Sequence, residues 1–83
     1  MPYIKAEDRI KFEKGLDELN PETAGELNYI FTKLILHYIA DKGGQKYQLW
    51  NDTVGAMECC KMELYRRFIA PYEDTKIKEN GDV

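Results

Sequence analysis

The sequence predicts an all-α protein: a small three-helix domain with an extended C-terminal tail, assembling as a homo-oligomer. Three observations carry this expectation. Apolar residues recur at steps of three and four through three segments, the spacing of one helix face. Asn20-Pro21, Gly43-Gly44 and Pro71 punctuate those segments, since proline and glycine are poorly tolerated inside helices. No stretch alternates with period two, so nothing reads as a half-buried strand. The expected boundaries are helices at about 6–19, 23–41 and 51–70 and a tail at 72–83, all within a single domain spanning 1–83.

The first helix takes its apolar positions from Ile10, Phe12, Leu16 and Leu19, with Glu7 and Asp8 in the first turn, where acids suit the helix dipole. Gly15 weakens it by about 1 kcal/mol relative to alanine. The second has the strongest start signal. Thr23-Ala24-Gly25-Glu26 is a capping box, in which the threonine hydroxyl accepts from a backbone N–H three residues on and the glutamate reaches back. Leu27, Ile30, Phe31, Leu34, Ile35 and Tyr38 then form one wide apolar face, closed by Gly43-Gly44. The third is expected to start at Asn51-Asp52, either of which caps well, and to stop before Pro71. Val54, Met57, Lys61, Leu64, Tyr65, Phe68 and Ile69 follow its period. The tail carries six charges in twelve residues, the composition of a solvated end, unless it docks on a neighbouring subunit.

Composition removes several classes of function. The 83 residues carry 12 Lys and Arg against 15 Asp and Glu, a net charge of −3, whereas a DNA-binding surface needs basic excess to neutralise phosphates. Two local arginines still suffice for one small phosphate-bearing ligand. No apolar run approaches the roughly 20 residues of a membrane span, and the N-terminus lacks the pattern of a signal peptide. A cytoplasmic protein that binds neither DNA nor membrane is the expectation. Cys59 and Cys60 are neighbours, a spacing that disfavours a mutual disulfide, and with one histidine they make a poor zinc set. They are read as reduced thiols, buried or half-buried, and no metal or cofactor is expected. A single core of this size supplies only about 3–5 kcal/mol of net stability, so self-association, as a homodimer or homotetramer, is the natural support.

The densest candidate site is Glu63, Tyr65, Arg66 and Arg67, followed at once by Pro71-Tyr72. Arginine's rigid fork of donors matches phosphate or carboxylate, and tyrosine stacks on a base. The ordinary reading of the same residues is a surface ion pair from Glu63 to Arg66 or Arg67 at helical spacing. Asn28 and Thr32 stand one turn apart and have the amide and hydroxyl groups to read a base or ribose edge; an ordinary polar face has them too. Asn51 offers either a polar contact or a helix cap, Trp50 a stacking platform or core, and His37 reads as a surface or interface histidine. An enzyme is not expected. The paired E-x-x-E and E-x-x-D carboxylates of helical nucleotide pyrophosphohydrolases are missing from the second and third helices. So are glycine-rich phosphate loops, H-E-x-x-H and G-x-S-x-G.

Several blocks taken together carry a resemblance. They are Met1-Pro2-Tyr3-Ile4-Lys5 with Asp8-Arg9; Gly25-Glu26-Leu27-Asn28-Tyr29; Asn51-Asp52 with Gly55-Ala56-Met57-Glu58; Glu63-Leu64-Tyr65-Arg66-Arg67; and Pro71-Tyr72-Glu73-Asp74 with Lys76-Ile77. The ending Glu79-Asn80-Gly81-Asp82-Val83 completes them. The chain resembles a family of short, mostly uncharacterised helical proteins of phages and bacterial genomes. It is similar to small phage proteins that oppose CBASS, a bacterial defence signalling through cyclic oligonucleotides. That resemblance implies a homo-oligomeric sponge, which binds the cyclic nucleotide and withholds it without cleavage. On this expectation Arg66 or Arg67 contacts phosphate and Tyr65 or Tyr72 stacks on a base. Asn28 or Asn51 reads a polar edge, and Tyr3 and Arg9 close the pocket. The competing expectation is a homo-oligomeric protein-interaction module, its arginines paired with Glu58 and Glu63.

Overall fold

A computed structural model describes residues 3–83, and every regular element among them is helical. In chain order they are α1 (Ala6–Glu18), α2 (Ala24–Asp41), α3 (Tyr47–Leu64), a π-helical turn (Tyr65–Ile69) and α4 (Ala70–Asn80). The last three follow one another without a break, so the sequence's three helical segments are present, the third much longer than expected. Chain contacts divide the molecule into two units, one ending at Gly44 and one beginning at Gln45.

In the first unit, local chemistry sets the helix ends. Arg9 Nε donates to the Ile4 carbonyl at 2.8 Å, tying the chain just ahead of α1 to its first turn. α1 ends at Glu18, and Leu19 is already extended (ψ 130°) as the chain approaches Asn20-Pro21. The α2 cap forms largely as the sequence predicts: Glu26 N–H donates to Thr23 Oγ1 at 3.1 Å. The Glu26 carboxylate reaches one residue further back than the usual box, accepting from Glu22 N–H at 3.2 Å. At the other end Gly44 N–H donates to the Ile39 carbonyl and Gly43 N–H to that of Ala40. Both glycines adopt positive φ, 107° and 98°, a conformation that side chains with a Cβ resist.

Two expected helix bounds are corrected in the second unit. The third helix starts at Tyr47, not Asn51, with extended Lys46 as its cap. Nothing between Gln45 and Asn51 opposes helix, and Gln48 Nε2 donates to Asp52 Oδ1 at 2.7 Å across the first turns. Asn51 and Asp52 are therefore internal helix positions rather than caps. At the other end the helix passes Pro71, and the expected extended tail is helical as far as Asn80. A proline inside an α-helix lacks the N–H for one ladder bond, and its ring clashes with the carbonyl four residues earlier. The widened turn immediately ahead relieves both: Ala70 N–H donates to the Tyr65 carbonyl, an i to i+5 bond. Pro71 then occupies the first turn of α4, where a missing donor is tolerated. Beyond it, Thr75 Oγ1 donates to the Pro71 carbonyl at 3.2 Å and Lys76 pairs with Glu79 at 3.2 Å. Gly81, at φ 85°, closes the helix.

Burial is sparse. Among the described residues only Ile39 and Thr53 are buried, Thr53 also donating to the Trp50 carbonyl at 2.9 Å. Both cysteines are free and exposed, contrary to the expectation of buried or half-buried thiols. Thr23→Ala removes an acceptor for an otherwise orphaned helix N–H, and is expected to cost about 1 kcal/mol. Urea denaturation followed by circular dichroism measures this, with Thr23→Ser remaining near wild type.

Candidate functional site

The π turn gathers the densest set of candidate residues. Tyr65, Arg66 and Arg67 lie within it and Tyr72 follows one turn later. Glu63, on the last turn of α3, meets both arginines, one carboxylate oxygen to each. Its Oε1 lies 3.2 Å from Arg67 Nη1 and its Oε2 3.5 Å from Arg66 Nη2. The surface ion pair that the spacing allowed is thus present and doubled. Arg67 additionally lies over the Phe68 ring, 5.5 Å from its centroid. The Arg66 side chain is 74% exposed and that of Arg67 46%. Exposed ion pairs of this kind contribute little to stability, so these arginines are held in place loosely enough to change partner.

A second link spans the turn. Tyr65 Oη donates to Glu73 Oε2 at 3.1 Å, joining residues on either side of Pro71. This contact was not legible in a sequence read as ending its helix at Pro71. The signal for it was the run of helix-compatible residues from Glu73 to Glu79, with Lys76 and Glu79 at pairing distance. Tyr72 has Lys76 Nζ over its ring at 5.6 Å, so a base stacking on that face has to displace a flexible lysine.

The other candidates stand apart from this group along the chain. Asn51 belongs to the same unit but lies near the start of α3, more than three helical turns before Glu63. Asn28, Tyr3 and Arg9 belong to the first unit. The Asn28 carbonyl accepts from Thr32 Oγ1 at 3.0 Å, Tyr3 is 86% exposed, and the Arg9 guanidinium is engaged with Ile4. His37 is exposed and lines a shallow hollow with Tyr38, Ala40 and Asp41, which contains none of the predicted ligand contacts. Among the described residues, no three His, Cys, Asp or Glu side chains gather as a metal site. No described helix is long and apolar enough to cross a membrane.

The electrostatics follow from these contacts. Partial shielding from water alone raises the Glu63 pKa, but the Arg67 hydrogen bond and the Arg66 charge outweigh it and hold the carboxyl below 4.5. The hydrogen bond to Glu73, and its charge, push the Tyr65 phenol above 10, with Asp74 adding to the effect.

Fold and site together define a small all-helical protein whose polar cluster is built on a π turn. The chain belongs to the family described as a domain of unknown function (DUF6899), whose model matches residues 1–83. Neither the curated proteins nor the solved structures yield a match.

Because Glu73 accepts from the protonated phenol, Glu73→Gln is expected to lower the Tyr65 pKa toward 10. The bond's stabilising effect is present below pH 10 and is lost as pH rises through the elevated native value. Tyrosine ring-carbon NMR titration measures the shift. Glu63 has the opposite sign: its stabilising effect is present above pH 4.5 and is lost as pH falls through the depressed native value.

Proposed function

We propose that this protein is a phage immune-evasion sponge, a homo-oligomer that binds a cyclic oligonucleotide defence signal and withholds it without cleaving it. The observation that carries this reading is the π-turn cluster. Arg66 and Arg67 present two exposed forks of donors, already drawn together by the two oxygens of Glu63. A phosphate offers the same kind of acceptor with more charge, so it competes for these donors with the carboxylate. Tyr65 and Tyr72, exposed at 49% and 61%, supply flat apolar rings on the same stretch of helix. A cyclic dinucleotide has two phosphates and two bases, so a site shared by two copies presents the cluster twice. Sequestration requires affinity rather than chemistry on the ligand.

A second reading is favoured by a different observation. Large apolar side chains are exposed on every helix, including Phe12, Phe31, Leu34, Met57 and Phe68, and both arginines already have a carboxylate partner. A homo-oligomeric protein-interaction module accounts for those features without a nucleotide.

Titration calorimetry against a panel of cyclic di- and trinucleotides, with the ligand recovered by chromatography, separates the two. Submicromolar binding with intact ligand supports the sponge, degraded ligand means an enzyme, and no binding across the panel favours the interaction module. Arg66→Ala with Arg67→Ala is expected to weaken binding by roughly a hundredfold or more while helicity and assembly persist, since a charged hydrogen bond contributes about 1.5–3 kcal/mol. Unchanged affinity in that double variant overturns the site assignment.

A further inference from the structure

One stripe of α3 is narrower than the face of a helix in a globular core. Trp50, Val54, Met57, Lys61 and Leu64 follow alternating steps of four and three residues along α3, and Phe68 lies in the widened turn that follows. This is the heptad spacing of a coiled-coil seam. Trp50 is half-buried, but Val54, Met57, Leu64 and Phe68 are 63, 51, 48 and 60% exposed. Lys61 is the single polar member of the seam, with Nζ 3.0 Å from Glu58 Oε1 on the flank.

We infer that this face is the interface with a second copy of the chain, whose α3 runs antiparallel about a two-fold axis at the level of Cys59. The inference deepens the assembly half of the sequestration reading and rests on that half alone. From Val54 to Leu64 the seam is self-complementary in reverse: Val54 meets the partner's Leu64 and Met57 meets the partner's Lys61, each pairing occurring twice as an isologous contact requires. The charges select the direction. A parallel, in-register pair stacks Lys61 on the partner's Lys61 inside the seam. The antiparallel pair sets Lys61 beside apolar Met57 and next to the partner's Glu58. Two lysines and two glutamates then alternate about the axis and neutralise one another. A second copy matches this arrangement, whereas an anionic lipid surface or a basic partner meets one of the two signs unfavourably.

The register makes the cysteines distinguishable. Position 60 flanks the seam and meets its own copy across the axis, while position 59 lies on the outer side of the helix. The full chain, without nucleotide, is treated with a short bis-maleimide and run on a denaturing gel, alongside sedimentation of the untreated protein. The expected result is a dimer that crosslinks in wild type and in Cys59→Ser but not in Cys60→Ser. Lys61→Glu is expected to weaken association by roughly tenfold or more, and Glu58→Lys in the same chain to restore it. These are exposed positions, so the variants keep their helicity by circular dichroism. A monomer at micromolar concentration, equal crosslinking through either cysteine, or indifference to Lys61→Glu overturns the inference. Because nucleotide is absent, these failures are separate from failure to bind a cyclic nucleotide.

Discussion

The second half of this protein depends on how one helix gets past Pro71. Proline removes a ladder donor and places its ring against the carbonyl four residues back, which ordinarily ends or kinks a helix. Here the preceding turn is widened, the Ala70 N–H reaches the Tyr65 carbonyl, and the chain resumes as α4 with the proline in its first turn. The consequences extend in both directions. Glu73 comes within reach of the Tyr65 hydroxyl, and residues 72–80 form helix instead of a loose end. π turns of this kind are often found at functional sites, and this one contains both arginines of the candidate site.

Glu63 organises the polar chemistry around that turn. A carboxylate that hydrogen-bonds one arginine and attracts another draws both forks toward one place, and its depressed pKa records the same interaction from the acid's side. The arrangement suits exchange better than stability. Arg66 and Arg67 are solvated, so their ion pairs are screened and weak, and a more highly charged oxyanion competes effectively for them. Under the proposed sequestration reading, the Glu63-paired arrangement is the one that a phosphate would displace.

Apolar side chains pose the larger physical demand. A helix cannot cover its own apolar face, and this chain leaves such residues exposed from Phe12 to Ile77. Hydrophobic burial is the main favourable contribution to folding, at about 25 cal/mol per Å², so a chain with few buried residues has much to gain from copies of itself. The α3 seam and the π-turn cluster lie on one continuous helix, so the pairing proposed for the first would place the second in a fixed relation to its copy.

Local rules account for what was legible in the sequence. The Thr23–Glu26 box, the Gly43-Gly44 terminus and the periodicity of α1 and α2 are each decided within a turn or two of chain, so residue type and spacing suffice to specify them. The pairing of Glu63 with Arg66 and Arg67 is equally local, being a matter of helical neighbours three and four apart. The start of α3 was not legible, because good capping residues at Asn51-Asp52 also fit a helix interior, where Asp52 accepts from Gln48. Nor were the exposed cysteines, since exposure depends on what packs nearby and not on residue type. Sequence by itself determined the helical class and most of the helix ends, through hydrogen bonds that close within a few residues. Only the tertiary structure decided the passage through Pro71, the Tyr65–Glu73 link and the sparse burial. Those depend on how a backbone distorts around one missing donor and on which faces find cover, neither of which residue order encodes locally.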